Sequence, residues 1–366
     1  MNNEFIIKVT LLFLAALGFS ILINRIFLKF SKNLGIRNID DKVIRWNTTS
    51  KPAFGGISFF IVFLLVLTVS PYLFNEFILT SNLKLIGILI ACAVGFLIGL
   101  TDDAYNTNPA FKSIGQALCA IILISSGNYI NLFEMSWINY LFTFIWIVGL
   151  MNSINMLDNM DGVSTIASIS SLIAMLLVLV IFQKLQSFYF ILIIGLIGAL
   201  LGFLFFNWNP SKMYMGDTGS QFLGISLAAL SINVLWNYTD QGGIESKQFL
   251  LPLLAFLVPI SDTTTVVINR ISRGTSPFIG GKDHTTHHLS YLGFSDQSVA
   301  LIVLGIGLIS NVMILIALTI EKWSHLFTIL FSIYAILILV SLFLVTKPHL
   351  FGKRHDAKEK SFKKTA

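Results

Sequence analysis

Residues 83–106 read LKLIGILIACAVGFLIGLTDDAYN, and between Lys84 and Asp102 no side chain carries a charge. As an α-helix, such a run crosses the roughly 30 Å hydrocarbon core of a bilayer, for which about 20 mostly apolar residues suffice. The two aspartates mark its end. A carboxylate is costly inside hydrocarbon, so Asp102 and Asp103 belong at a membrane–water boundary.

Working outward from this stretch, similar apolar runs fall near 5–30, 53–74, 111–126, 138–156, 163–182, 188–206, 220–237, 249–268, 299–320 and 325–346, separated by short polar or Gly/Pro-bearing joints. Of the 366 residues, 55% are hydrophobic and 11% charged, with a mean hydropathy of +0.82, which excludes an ordinary soluble domain. The expected fold is all-α: a polytopic integral membrane protein of about eleven transmembrane helices, or ten if the short fourth run or the Asn- and Asp-broken fifth and sixth are counted differently. Residues 1–346 form one transmembrane catalytic domain and residues 347–366 a basic tail. The first run is longer than a signal-peptide core and is read as a retained helix. Cys92 and Cys119 lie inside apolar runs, where no disulfide, metal or redox role is expected.

Eleven spans put the loops after odd-numbered helices on the same side as the tail. That side collects Lys32, Arg37, Lys42, Arg45, Lys51, Lys112, Lys212, Arg270, Arg273 and Lys282 in addition to the tail lysines. The positive-inside rule then predicts an N-terminus outside, a cytoplasmic C-terminus, and a multi-pass protein of the inner (plasma) membrane. The net charge of +6 is mostly this asymmetry, and with no nucleic-acid-binding motif beside it a nucleic-acid partner is not expected.

The acids cluster on the same side. Asp102 and Asp103 close the third run, Asp158 and Asp161 close the fifth in NSINMLDNMDG, and Asp217 follows the seventh in YMGDTGS. Asn155, Asp158 and Asp161 are spaced i, i+3, i+6, so on a continuing helix they form one oxygen-bearing stripe. Hard oxygen donors of this kind suit Mg²⁺, which takes one or two carboxylates and completes its shell with water and substrate phosphates. The last loop of that side, NRISRGTSPFIGGKDHTTHHL, adds Arg270, Arg273 and Lys282 to neutralise phosphate, and His284, His287 and His288 to donate hydrogen bonds or act near neutral pH. Metal, cations and glycines on one face point to phosphoryl transfer. Taken singly, each acid also fits a solvated helix cap, and the histidines fit loop structure better than zinc, which lacks a second ligand pair. The competing classes are a secondary transporter of a lipid-linked or phosphorylated sugar, whose charges would sit near mid-bilayer, and an inactive scaffold, which would be expected to lose its acids.

In this order, PAFGG, TDD, NSINMLDNMDG, YMGDTGS, VPISD, SRGTSPF and HTTHHL resemble the polyprenyl-phosphate N-acetylhexosamine-1-phosphate transferase family over nearly the whole chain, in the branch using undecaprenyl phosphate and UDP-GlcNAc. The resemblance implies that the phosphate of undecaprenyl phosphate attacks the β-phosphorus of a UDP-N-acetylhexosamine, releasing UMP and starting a lipid-linked surface polysaccharide. It implies Mg²⁺ as cofactor, with Mn²⁺ as a substitute, and admits a homodimer. Carried over by motif, Asp102 is the candidate base with Asp103 beside it, and Asn155 and Asp217 bind the metal diphosphate. Asp158 and Asp161 line the catalytic pocket with His287. Asn152, Lys51, Arg270, Arg273, His284 and His288 bind substrate. Three positions depart from the family pattern: Asn106 replaces the usual third acid of the first motif, Asn159 stands where Gly is usual, and HTTHH has one more residue than HxHH.

Overall fold

A computed structural model describes residues 3–30, 51–74, 82–238, 245–277 and 280–347. Two of the basic stretches expected on the charged side, around 31–50 and 348–366, lie outside these residues. Among the described residues every regular element is helical. The helices are α1 (Asn3–Phe30), α2 (Gly55–Phe74), α3 (Leu83–Tyr105), α4 (Pro109–Ser125), α5 (Ser136–Leu157), α6 (Val163–Ile181) and α7 (Phe188–Asn207). They continue with α8 (Gly216–Ser231), extended by a π turn over Ile232–Trp236, then α9 (Ser246–Ala255), α10 (Leu257–Ser272), α11 (Thr285–Tyr291), α12 (Asp296–Thr319) and α13 (His325–Val345).

Nine of the described helices are long and apolar enough to cross a bilayer, ten if α9 and α10 make one broken span, and the apolar α4 is slightly shorter. The expected runs are therefore present. The ninth differs from its reading as one straight helix over 249–268, because the chain bends by 80° between Ala255 and Leu257. The cause is local. Pro259 has no N–H for the carbonyl of Ala255 four residues earlier, and the Ser171 hydroxyl donates to that carbonyl instead at 2.7 Å.

The bundle is organised around α8, whose transmembrane window is 94% buried and which packs against α2, α3 and α5. Small residues allow the approach. A Cβ at Gly99 of α3 would overlap the backbone of Asp217 and Thr218, so this glycine brings the end of α3 against the start of α8. On the other side of the bundle α1 lies on α7 and α12 on α6, and exposed leucines and isoleucines along α1, α12 and α13 face outward as lipid-facing side chains do. The same ends of α3, α4, α5, α8 and α10 surround one polar cavity.

Candidate active site

The cavity has a volume of about 810 Å³. Its wall includes Asp102, Asp103, Asn152, Asn155, Asp158, Asp161, Asp217, Arg270, His284 and His287. Ten of the sequence-derived site residues thus meet in one place, from five helices and two turns.

Asp103 shows how the sequence builds it. The helix α8 begins without a side-chain cap of its own. Asp103, reaching across from α3, accepts from the N–H of Asp217 at 3.1 Å, the N–H of Thr218 at 2.8 Å and the Thr218 hydroxyl at 2.7 Å. A carboxylate on the first free N–H groups of a helix satisfies orphan donors and the positive end of its dipole. Gly216 makes this fit: its φ is +75°, and a Cβ there would stand 2.7 Å from the Ala53 carbonyl and 2.8 Å from Oδ2 of Asp103.

Asp217 is thereby aimed at Asn155, whose Nδ2 donates to its Oδ1 at 2.5 Å and to Ser220 Oγ at 2.8 Å. Asp102 lies within hydrogen-bond distance of Asp217, which requires a proton between the two carboxyls or a cation near both. The cation present is Lys112. Its Nζ is 2.9 Å from Asp102 Oδ2, 3.5 Å from Asp217 Oδ1 and 3.4 Å from Asn155 Oδ1. Asp102 also accepts from Thr107, through N–H at 2.9 Å and hydroxyl at 2.5 Å. Asn106, in place of the usual third acid, takes the left-handed conformation (φ 52°) that ends α3, a role Asn fills readily.

The oxygen stripe expected from Asn155, Asp158 and Asp161 does not form on one helix. The helix α5 ends at Leu157, and a turn with Gly162 at φ +75° leads into α6. Asp158, at the cap, stays in the cavity; its N–H donates to the Ile154 and Asn155 carbonyls, while its carboxyl makes no hydrogen bond to a described residue. Burial, then the charges of Asp217, Asp103 and Asp161, push its carboxyl up to about 8. Asp161 turns the other way, accepting from Ser211 N–H at 2.9 Å, Ser211 Oγ at 2.8 Å and Asn209 Nδ2 at 3.1 Å, with Lys51 at 3.8 Å. Lys51 is placed behind Asp161, 3.0 Å from Ser211 Oγ and 5.1 Å from the Tyr214 ring centre, and is not itself on the cavity wall. Asn152 exchanges hydrogen bonds with Gln116 at 2.9 and 3.2 Å.

The histidine segment is a short helix rather than a loop. His284, the extended N-cap residue before α11, and His287, in the first turn of α11, both line the cavity, with rings 5.4 Å apart. His288 is about 100° further round the helix and packs edge-on to Tyr291 at 5.3 Å, away from the cavity wall. Burial, with the charge of His284, holds His287 well below the usual imidazole range. Arg273 caps the end of α10, is exposed and does not line the cavity. Arg270 does, but its guanidinium is held by Asp283 through Nε at 2.9 Å and Nη2 at 2.7 Å, and by the Pro277 carbonyl through Nη1 at 2.9 Å. Burial opposes ionisation of Asp283, and the Arg270 hydrogen bond and charge outweigh it to hold its carboxyl below the usual range.

Several contributors escaped the sequence reading. Lys112 counted only as a positive charge on one side; its signal was a lysine in the first turn of an otherwise apolar run, where a cation needs a partner. Tyr214, the aromatic on the cavity wall, and Asp262, bonded to His284, had no signal beyond membership of a motif. Asn159, one of the departures, meets the HTTHH segment: the Thr286 hydroxyl donates to Asn159 Oδ1 at 2.7 Å.

A divalent metal has a specific test here. No group of three or more His, Cys, Asp or Glu side chains among the described residues forms an all-protein cage. Asp217, the Asn155 amide oxygen and the unpartnered carboxyl of Asp158 nonetheless offer oxygens to one space, which fits an ion that draws its remaining ligands from water and phosphate.

Residues 85–235 match the family model described as glycosyl transferase family 4. A Bacillus subtilis protein named "Probable undecaprenyl-phosphate N-acetylglucosaminyl 1-phosphate transferase" is 27% identical over 345 residues, covering 90% of each chain. A Mycobacterium leprae protein named "Decaprenyl-phosphate N-acetylglucosaminephosphotransferase" is 29% identical, covering 72% of this chain and 73% of its own. A Listeria welshimeri protein named "Phospho-N-acetylmuramoyl-pentapeptide-transferase" is 27% identical over 71% of this chain and 82% of its own.

Proposed function

We propose that this chain, whose residues 85–235 match glycosyl transferase family 4, transfers an N-acetylhexosamine-1-phosphate, GlcNAc-1-phosphate in the first instance, from a UDP-sugar to undecaprenyl phosphate. A phosphate oxygen of the lipid forms a bond to the β-phosphorus, the bond from that phosphorus to the bridging oxygen breaks, and UMP leaves with that oxygen. The sugar keeps its glycosidic bond. The lipid phosphate is already an anion near neutral pH, so the reaction calls for charge neutralisation and alignment more than for a base.

The observation that carries this reading is the convergence of Asp102, Asp217, Asn155 and Lys112 within 3.5 Å contacts at one membrane-edge cavity. Asp217 and Asn155 would hold Mg²⁺, which would supply positive charge to the diphosphate. Lys112 sits where it can pass from its carboxylates to an incoming phosphate oxygen. The Tyr214 ring, with Lys51 above it, offers a flat face to a nucleobase. A transporter would carry its charges at mid-bilayer, whereas these lie at helix ends. By the loop-charge asymmetry, the cavity faces the cytoplasm and the protein resides in the plasma membrane.

The test is UMP release from detergent-purified protein given undecaprenyl phosphate, Mg²⁺ and a panel of UDP-sugars, beside Asp217→Asn. Release that needs lipid, metal and one donor, and is lost in the variant, is the expected result. A folded sample that releases no UMP from any donor would sink the proposal in favour of transport or scaffolding.

A further inference from the structure

Asp262 lies in α10, within the broken span, and none of its surface is exposed. A fully buried carboxylate in a membrane protein is expensive unless every lone pair is engaged. Its partners all come from the start of α11. His284 Nδ1 is 2.8 Å from Oδ2, and Thr285 gives its N–H at 2.8 Å and its hydroxyl at 2.6 Å to Oδ1. Asp262 itself is not on the cavity wall; its partner His284 is.

An ionised carboxylate only accepts hydrogen bonds, so the short contact places a proton on Nδ1 of His284. The ring then has one nitrogen left, Nε2, on the edge away from Asp262. The two Thr285 bonds to the other carboxylate oxygen stop Asp262 from rotating, and so stop the imidazole from exchanging nitrogens. We infer that Asp262 is a positioning residue that holds the Nδ1 proton and the rotamer of His284, so that Nε2 is the ring atom that faces the cavity and, in the doubly protonated ring, donates its N–H to a phosphoryl oxygen of the bound donor. The pattern of carboxylate, Nδ1–H and exposed Nε2 is the one by which a remote acid controls what an imidazole can do. This inference rests on the transferase reading for the identity of the ligand, but the tautomer does not.

Other charged groups face the same ring: Asp283 in the preceding loop, with Arg270 behind it, and His287 on the next turn of α11. Their presence makes the assignment testable only by a readout specific to Nδ1. Protein labelled with ¹⁵N-histidine, with His284 assigned by its loss in His284→Gln, should show a protonated Nδ1 in the unaltered chain between pH 6 and 8. In Asp262→Asn the Nδ1 resonance should shift toward the unprotonated position. A His284 that carries its proton on Nε2 alone in the unaltered chain overturns the inference, whether or not Asp262→Asn folds and whether or not UMP is released.

For turnover, Asp262→Asn should lower kcat for UMP release by about 10- to 100-fold, the loss typical of partners that orient a functional imidazole, with KM for the donor little changed. Asp262→Glu, which keeps the carboxylate, should recover part of it. The double variant Asp262→Asn with His284→Gln should be no slower than His284→Gln alone. Losses that multiply, or an Asp262→Asn enzyme with an unmoved pH profile whose deficit follows its thermal midpoint, would reduce Asp262 to a structural residue. If the unaltered protein releases no UMP, the transferase reading fails while the resonance measurement still decides the tautomer.

Discussion

The Nζ of Lys112, in the first turn of α4, stands 2.9 Å from the Oδ2 of Asp102 at the end of α3. Asp217 of α8 is 3.5 Å from the same ammonium, so one cation holds two acids that otherwise repel. Removing it leaves the largely buried Asp102 and the one-third-exposed Asp217 with no counter-charge. Lys112→Met should therefore cost on the order of 3 kcal/mol of stability without metal, in the range measured when one member of a largely buried pair is deleted. Magnesium can supply the missing charge. The rise in thermal midpoint on adding MgCl₂ should be larger for Lys112→Met than for the unaltered protein, while UMP release stays at least about tenfold reduced because the phosphate has lost its donor. Equal magnesium responses would mean that ion and lysine do not share a site.

Asp158 gives a pH dependence with a defined sign. Its folded-state carboxyl is raised to about 8, above the ordinary value of 3.8, so the folded protein holds a proton that the unfolded chain releases between those values. Stability from this group is present at the acid end and is lost as pH rises through about 8. Binding of a divalent cation requires the opposite ionisation. Apparent magnesium affinity should increase by up to about tenfold per pH unit between pH 6 and 8, if one proton is released per ion, and level off above. In Asp158→Asn that slope should flatten. Titration calorimetry across this range, in buffers of different ionisation enthalpy, counts the protons directly.

Gly216 links its own backbone conformation to the cap from Asp103 and the aim of Asp217. Gly216→Ala forces a Cβ into a left-handed residue beside the Ala53 carbonyl and Asp103 Oδ2, with a cost of about 1–3 kcal/mol from backbone strain. Asp103→Ala removes three hydrogen bonds to the start of α8, with a cost of about 1–2 kcal/mol by comparison with other helix caps. Because both act on the same turn, their effects on thermal midpoint should be less than additive, and both should reduce UMP release more than they reduce stability alone would require. An Asp103→Ala protein with full activity would separate the cap from the chemistry.

The helices were legible because the bilayer imposes a length and a hydropathy on every span, and these are local properties of the sequence. The 80° bend before Leu257 was not, since hydropathy is blind to direction and a proline is tolerated in a membrane helix when a neighbour such as Ser171 takes the freed carbonyl. The acids were found for a similar reason: a charge at the end of an apolar run stands out whatever it touches. What they touch was hidden. Lys112, Asp262 and Tyr214 acquire their roles from residues tens to more than a hundred positions away, through packing that no period encodes. Adjacency in sequence also misled, for His287 and His288 are neighbours in the chain yet point to different sides of α11. Arg273 follows Arg270 by less than one turn but lies beyond the helix end, in solvent.

The pairing of Asn159 with Thr286 ties a departure from the family pattern to the histidine segment HTTHH. The Thr286 hydroxyl, on a residue only 2% exposed, donates to Asn159 Oδ1 at 2.7 Å, and Asn159 Nδ2 donates in turn to the Met156 carbonyl at 2.9 Å. This links the turn that carries Asp158 and Asp161 to the helix that carries His284 and His287. With Gly at position 159 the acceptor would be gone and the buried Thr286 hydroxyl would be left to find another. Asn159→Gly and Thr286→Val should each lower stability by about 1 kcal/mol or more, since either leaves a buried polar atom unmatched or removes its bond. Together they should cost less than the sum, with a coupling of about 0.5–1.5 kcal/mol for residues in direct contact. Chemical-denaturant or thermal unfolding of the four proteins of the cycle measures it. Strict additivity would show that each side chain is accommodated separately, and the two motifs would then be held together by the rest of the cavity wall.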